Sequence, residues 1–239
     1  DEIRSIRNLS MPTLASLGPL VSPVPPRVWD DYLGQVLDLR VHQSVGAQAV
    51  YTAMHGVGWP MIRDVLAGAG HRAPIAVPEQ RDPDGDFPTV AFPNPEEPGA
   101  LDLAFALAEA HNADLIIAND PDADRLAVAL PSPSGWQMLS GNQIGLLLAE
   151  DLLAHGAQSP NRMVANTIVS SSLLADIAER HQAQHVETLT GFKWIANAAL
   201  DHDGSFIIGF EEALGYSVGP VVRDKDGVSA ALLILDLAS

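Results

Sequence analysis

The stretch Ala113–Leu130, ADLIIANDPDADRLAVAL, sets three aspartates between two apolar runs. Leu115, Ile116 and Ile117 read as a buried strand entering the acidic segment, and Leu126, Ala127, Val128 and Ala129 as another leaving it. Asp120, Asp122 and Asp124 therefore sit on a loop at a strand end. Carboxylates a few ångströms apart repel by roughly 4 kcal/mol per close pair at an effective dielectric of about 20, unless something positive lies among them. A divalent cation removes that conflict. An all-oxygen set suits Mg²⁺, which keeps positions open for water and phosphate oxygens. Arg125 follows directly, placed to face a phosphate or to hold the acids from behind.

Counting tests the rival readings of D-x-D-x-D. An EF-hand loop needs Gly where Arg125 stands and Glu where Pro131 stands, so that reading fails. A haloacid-dehalogenase-type phosphotransferase would carry its apolar run up to the first Asp, but Ala118 and Asn119 intervene and a third acid follows. A solvated acidic turn is the plain alternative in so acidic a chain. A second alternation, Asp82, Asp84 and Asp86, has Pro and Gly for neighbours instead of apolar strands and reads as a solvated loop.

At 239 residues the chain has room for one large domain or two ordinary ones. A hydrophobic content of 47% and a mean hydropathy of +0.11 predict a soluble globular protein. The net charge of −17 argues against nucleic acid or an anionic membrane as partner, because both need basic patches. A small anionic ligand stays compatible if the few cations gather at one place; the two lysines, Lys193 and Lys225, each lie near a glycine in a loop-like stretch. With no cysteine, disulfides, Cys-bound zinc and thiol catalysis are excluded. No apolar run approaches a membrane span and no signal peptide opens the chain, so the expected location is cytoplasmic. The first residue is Asp, and the chain is expected to begin in the middle of something longer.

Residues 1–40 read as a connector, broken by Pro19, Pro23, Pro25 and Pro26, with a short helical pattern from Trp29 to Leu39. Ala47–Thr52 is a predicted strand leading to Met54-His55-Gly56-Val57-Gly58, and Pro60 opens a helix that stops at Gly68–Gly70. Pro74–Val77 is a strand, Ala100–Ala110 a helix, and Trp136–Leu139 a short strand after the acidic loop. Residues 41–140 thus make one α/β unit. In the second, 141–239, helices are expected at Asn142–Leu153, at Ser170–His181 with its serines as caps, and through Leu200. Strands are expected at Met163–Ile168, Val186–Leu189 and Ser205–Gly209. An apolar helix ends near Ala238, with Asp226 as a cap. Alternating strands and helices imply α/β layering in both units.

Three loops at strand ends now offer different chemistry. The aspartates suit a metal, Thr190-Gly191-Phe192-Lys193 presents an ammonium beside a flexible glycine, and Glu211-Glu212 offers acceptors for hydroxyl groups. Together they suggest a phosphorylated sugar. Arg223 and Lys225 either draw in anions or shape the turn before the last helix.

Taken in this order, the motifs resemble the α-D-phosphohexomutase superfamily of phosphoglucomutases and phosphomannomutases, over roughly Arg40 to Ala238. Tyr51-Thr52-Ala53-Met54-His55-Gly56-Val57-Gly58 resembles the opening of the family's second domain, and Asp120-Pro121-Asp122-Ala123-Asp124-Arg125 its metal loop. Thr190–Lys193 is similar to an active-site loop of the third domain, and Glu211-Glu212-Ala213-Leu214-Gly215 to its sugar-recognition loop. The resemblance implies two consecutive α/β units with mixed sheets flanked by helices. Asp120, Asp122 and Asp124 are then expected to bind Mg²⁺, and Arg125 and Lys193 to stabilise phosphate or handle protons. Glu211 would orient the sugar, with Glu212, Arg223 and Lys225 as further substrate-binding candidates. Glu212 is the weaker of the paired glutamates, since neighbours on an extended segment point to opposite faces.

The implied activity moves a phosphoryl group between the 1- and 6-positions of glucose or mannose phosphate, through a sugar bisphosphate and a phosphoserine. Ala213 stands where the usual family loop has Ser, and E-E-A-L-G-Y looks closer to phosphopentomutase-type enzymes acting between the 1- and 5-positions of a pentose. The family's phosphoserine loop, of the T-A-S-H-N-P type, has no counterpart here, and neither has its phosphate-gripping fourth domain. The chain is therefore expected to represent domains two and three, and in isolation to be inactive. The rival expectation is a non-catalytic module that binds metal or sugar phosphate.

Overall fold

Strands buried at every position belong in the middle of a sheet covered on both faces. In the computed structural model, which describes residues 22–239, β1 (Ala49–Thr52) and β3 (Leu115–Ala118) are such strands, buried throughout and paired in parallel. β2 (Ile75–Ala76) flanks β1, while β4 (Ala127–Ser132) and β5 (Gly135–Met138) extend the sheet in the order β2-β1-β3-β4-β5. Segment 119–126 is too short for a crossover, so β4 must return antiparallel to β3, with Ala118 opposite Ala127. The aspartates occupy that reversal.

Period-two alternation sends the two faces of this sheet to different partners. Val50 and Ile116 pack on Ala104 and Ala108 of the helix Asp102–His111, while Tyr51, Leu115 and Ile117 join Ile62, Val65 and Leu66 of the helix Trp59–Gly68. In chain order the helices are α1 (Arg27–Asp38), α2 (Trp59–Gly68), α3 (Asp102–His111) and α4 (Gly141–His155), then α5 (Leu173–Arg180), α6 (Phe192–Asp201) and α7 (Gly227–Leu237). The α1 helix lies within the predicted connector, whose first 21 residues, with the break at Pro19, fall outside the described residues.

The second sheet has the order β7-β6-β8-β9, from β6 (Arg162–Thr167), β7 (Gln184–Thr188), β8 (Ser205–Glu211) and β9 (Gly215–Val218). β6 pairs in parallel with β7 and β8, and β9 returns antiparallel along β8. Both sheets are mixed, as expected. Gly145 of α4 faces Phe210 of β8 so closely that a Cβ would strike the ring. The α7 helix is buried from Gly227 to Asp236 and packs on β9, α4 and α2, so one hydrophobic core runs through both units.

Asp226 caps α7 as expected, accepting from the Val228 N–H at 3.1 Å. The serines before α5 depart from expectation. The helix starts only at Leu173, its N-cap residue Ser172 makes no side-chain cap bond, and Ser171 Oγ accepts from the Leu173 N–H. Ser170 is diverted because its hydroxyl donates to the Glu212 carboxylate at 2.9 Å.

Candidate active site

The aspartate loop is held by a residue that sequence reasoning used only as a spacer. Asn119 is fully buried: its Oδ1 accepts from the Tyr51 hydroxyl at 3.0 Å and its Nδ2 donates to the Arg125 carbonyl. One amide thereby ties the loop's entrance to its exit. The available signal was a polar side chain directly after a run of apolar ones, because a buried amide must find partners. Inside the loop, Ala123 adopts a left-handed φ of +61°, and its N–H donates to the Asp120 carbonyl.

This turn gathers the acids. Asp120, Asp122 and Asp124 each offer an oxygen within 4.8 Å of the others, with Asp120 buried, Asp124 half-buried and Asp122 exposed. Burial pushes the Asp120 carboxyl up to about 6; the Arg125 N–H, donating to its Oδ1 at 3.0 Å, opposes that rise, and the charges of Asp124 and Asp122 add to it. The Arg125 guanidinium lies 3.5 Å from Asp120 Oδ2 and 3.9 Å from Asp124 Oδ1. The rise is the cost of burying the charged form, which a cation bound at the loop would offset. The hard, all-oxygen donor set fits Mg²⁺.

The second unit supplies another cation. Lys225 Nζ lies 3.0 Å from Asp124 Oδ2 and 3.3 Å from Asp224 Oδ1, and 5.5 Å from the centre of the Phe192 ring. Burial pulls the ammonium's pKa down, but the bond to Asp124 and the two carboxylate charges more than offset this, so it lies above the ordinary lysine value. Backbone bonds fix the approach. The Leu126 N–H donates to the Leu214 carbonyl at 3.0 Å, and the Gly227 N–H to the Ala123 carbonyl at 3.1 Å. Gly227 has no room for a Cβ, which would meet the Arg125 carbonyl.

Glu211 and Glu212 part company, as alternation requires. Glu211 Oε1 accepts from the Gly191 N–H at 2.8 Å, joining the Glu211 loop to the Thr190–Lys193 loop. Gly191 sits at φ +116°, which suits glycine. Glu212 turns instead to the Ser170 and Thr167 hydroxyls at 2.9 and 3.4 Å. Lys193 is exposed, its Nζ 5.6 Å from the Trp194 ring centre. Arg223 lines a small cavity of about 140 Å³ with Ile195 and Ser217. Among the described residues, no ion pair joins Lys193 or Arg223 to the aspartates. A wider cleft of about 740 Å³ opens beside Asp122, Asp124 and Lys225, walled by Val57, Met61 and Trp29.

Asp82, Asp84 and Asp86 are all exposed. Asp82 pairs with Arg81 at 2.7 Å, and Asp84 Oδ1 accepts from the Asp86 N–H at 3.0 Å.

Two mixed sheets sharing a helix, with a carboxylate loop stitched across their junction, define a two-unit α/β protein built around one polyanionic site. Family models described as phosphoglucomutase/phosphomannomutase, alpha/beta/alpha domain II and domain III, match residues 29–133 and 140–239. A Haemophilus influenzae protein named "Probable phosphomannomutase" is 50% identical over 212 residues, covering 88% of this chain and 42% of its own length. The human protein named phosphopentomutase is 41% identical over 244 residues, covering 95% of this chain and 40% of its own. A crystal structure of a phosphoglucomutase/phosphomannomutase family protein from Burkholderia thailandensis shares the fold, with a TM-score of 0.73 at 21% identity over 88% of this chain and 44% of that one. The chain belongs to the phosphoglucomutase/phosphomannomutase family and carries its domains II and III. It spans about two fifths of the length of these curated relatives.

Among the described residues, no helix is long and apolar enough to cross a membrane.

Proposed function

We propose that this chain is the central part of a Mg²⁺-dependent phosphosugar mutase, moving a phosphoryl group between the 1- and 6-positions of glucose or mannose phosphate. The phosphoryl carrier, a phosphoserine, and the sugar bisphosphate intermediate follow from the family resemblance. Residues 41–140 form the metal-binding unit, 141–239 the sugar-binding unit and 1–40 the connector. The observation that carries this reading is the gathering of Asp120, Asp122 and Asp124 at a loop bonded directly to the Glu211–Gly215 loop through Leu126 and Leu214.

Mg²⁺ held by the three aspartates would neutralise charge on the transferring phosphoryl group, which phosphoryl transfer requires because little other chemistry is left for the protein. Arg125, fixed between Asp120 and Asp124, keeps the carboxylates in place and presents a cation to phosphate oxygens. Lys225 holds its proton firmly beside Asp124 and serves as a second phosphate-facing cation. Lys193, exposed on its loop, contributes a third. Glu211 keeps Oε1 on Gly191 and has no hydrogen-bond partner at Oε2 among the described residues, which leaves that oxygen for a sugar hydroxyl. Glu212, taken up by Ser170 and Thr167, braces the loop, while the exposed Arg223 adds positive field at the rim.

A pentose reading, with transfer between the 1- and 5-positions, is favoured by two observations: Ala213 removes a hydroxyl from the sugar loop, and a relative whose match covers 95% of this chain is named phosphopentomutase. The test is a coupled assay of the full-length protein with glucose 1-phosphate, mannose 1-phosphate and ribose 1-phosphate, with and without Mg²⁺. Turnover of a hexose phosphate that disappears with chelator is expected. Ribose phosphate preferred over both hexoses would replace the first reading by the second, and no turnover of any would sink both.

A further inference from the structure

On α4, away from the aspartate loop, Asp151 and His155 are four residues apart and so project on one face. The segment joining α1 to β1 crosses this face and brings in His42. His42 Nε2 and His155 Nδ1 both lie 2.8 Å from the same oxygen, Asp151 Oδ1, and the two ring centres are 4.9 Å apart. The three donor atoms all fall within 4.8 Å of one another. Asp151 is buried, yet among the described residues its carboxylate is met by no Lys or Arg, only by these two imidazoles.

We propose that His42, Asp151 and His155 form a second metal site, for a borderline dication of the Zn²⁺ class. Two imidazoles and one carboxylate suit Zn²⁺, Ni²⁺ or Co²⁺, whereas the all-oxygen aspartate loop suits Mg²⁺, so the two sites select different ions. Metal–nitrogen and metal–oxygen bonds of about 2.0–2.1 Å place donors about 3.3 Å apart around a tetrahedron. The two nitrogen–oxygen separations therefore open by about half an ångström from the metal-free hydrogen bonds as the nitrogens settle around the ion. His155, with 57% of its side chain exposed, can make that shift and leaves the fourth position to water. On binding, each neutral imidazole moves its proton from the nitrogen facing Asp151 to the outward one, and the carboxylate supplies the charge. Metal there would pin the segment joining α1 to β1, at His42, to the second unit, close to where Arg40 already holds Asp236 of α7 at 2.7 Å.

The test titrates the intact protein with Zn²⁺ in excess Mg²⁺, which fills the aspartate loop, while imidazole NMR signals are followed. His42 and His155 are expected to shift together with the first equivalent. His155→Ala, an exposed change whose fold is checked by circular dichroism, should weaken that equivalent at least about tenfold. Unmoved His42 and His155 signals, shifts confined to other histidines such as the exposed His111, or equal affinity in wild type and His155→Ala would each overturn the proposal. Should His155→Ala fail to fold, the NMR titration of the unaltered protein decides alone.

Discussion

Asp82, Asp84 and Asp86 repeat the spacing of Asp120, Asp122 and Asp124, but the two trios end in opposite states. The first trio stands among Pro and Gly with all three acids exposed. Arg81 lowers the Asp82 carboxyl below its ordinary value, chiefly through their hydrogen bond. The second is clamped between buried strands, with its ends tied by Asn119 and its first carboxyl driven upward by burial. The alternation only keeps charges close. Whether they become a site depends on whether the framework takes away their water, and that is decided by the flanking apolar runs.

The largest difference between the trios is expected in catalysis by the full-length protein. Asp122 is exposed, so Asp122→Asn should leave the fold intact while removing one of the proposed metal ligands, lowering kcat/KM by at least on the order of a hundredfold. Asp84→Asn should change kcat/KM by less than about twofold, since surface changes away from a site do little. Equal losses in both variants, or none in either, would break the distinction.

Next in size comes the scaffold. Gly56 passes so close to the acidic loop that a Cβ would overlap the Pro121 backbone, and the neighbouring Val57 N–H donates to the Pro121 carbonyl at 2.8 Å. Gly56→Ala should therefore cost about 1–3 kcal/mol, as overpacking does. Gly85, inside the other trio, has open space where a Cβ would stand. Gly85→Ala should stay within about 0.5 kcal/mol of wild type in urea unfolding. A neutral Gly56→Ala would mean that the aspartate loop is no more tightly held than the loop at Asp84.

Much of this contrast is legible in the sequence, since apolar strands flank one trio and Pro and Gly the other. Pro60 inside the start of α2 and Asp226 before α7 are equally plain, because capping and proline preferences act within one turn. The Ser140-Gln143 capping box of α4 was readable in the same way. Illegible were the contacts made across the chain. Nothing near Lys225 signals that its ammonium reaches Asp124, because backbone bonds between distant loops bring it there, and backbone bonds leave no residue pattern. The α7 helix reads as apolar on all sides, which says that it is buried but not that it serves both units. The diversion of Ser170 from helix capping to Glu212 is illegible for the same reason.

The smallest expected effect concerns charge without metal. In the metal-free folded protein Asp120 titrates near 6, against an ordinary value of 3.8. The folded state thus binds this proton more tightly than the unfolded chain does, and stability falls as pH rises from about 4 to about 6. Asp120→Asn carries no charge to suppress, so at neutral pH without metal it should melt about 2–4 °C above wild type, corresponding to about 1 kcal/mol. Bound as proposed, Mg²⁺ should reverse the order, because it would stabilise the charged carboxylate and have less to hold in the variant; below pH about 6 protons would compete with it, and its affinity for wild type should weaken about tenfold per pH unit. Asp82 has the opposite sign, a lowered pKa whose contribution would be lost on acidification, but its exposed pair with Arg81 is screened by water and salt. Asp82→Asn should therefore leave the melting curve unchanged with or without Mg²⁺. Differential scanning calorimetry across this pH range separates the cases: a metal-free Asp120→Asn no more stable than wild type would mean that Arg125 and Lys225 already balance the acids, and that the loop does not depend on a cation.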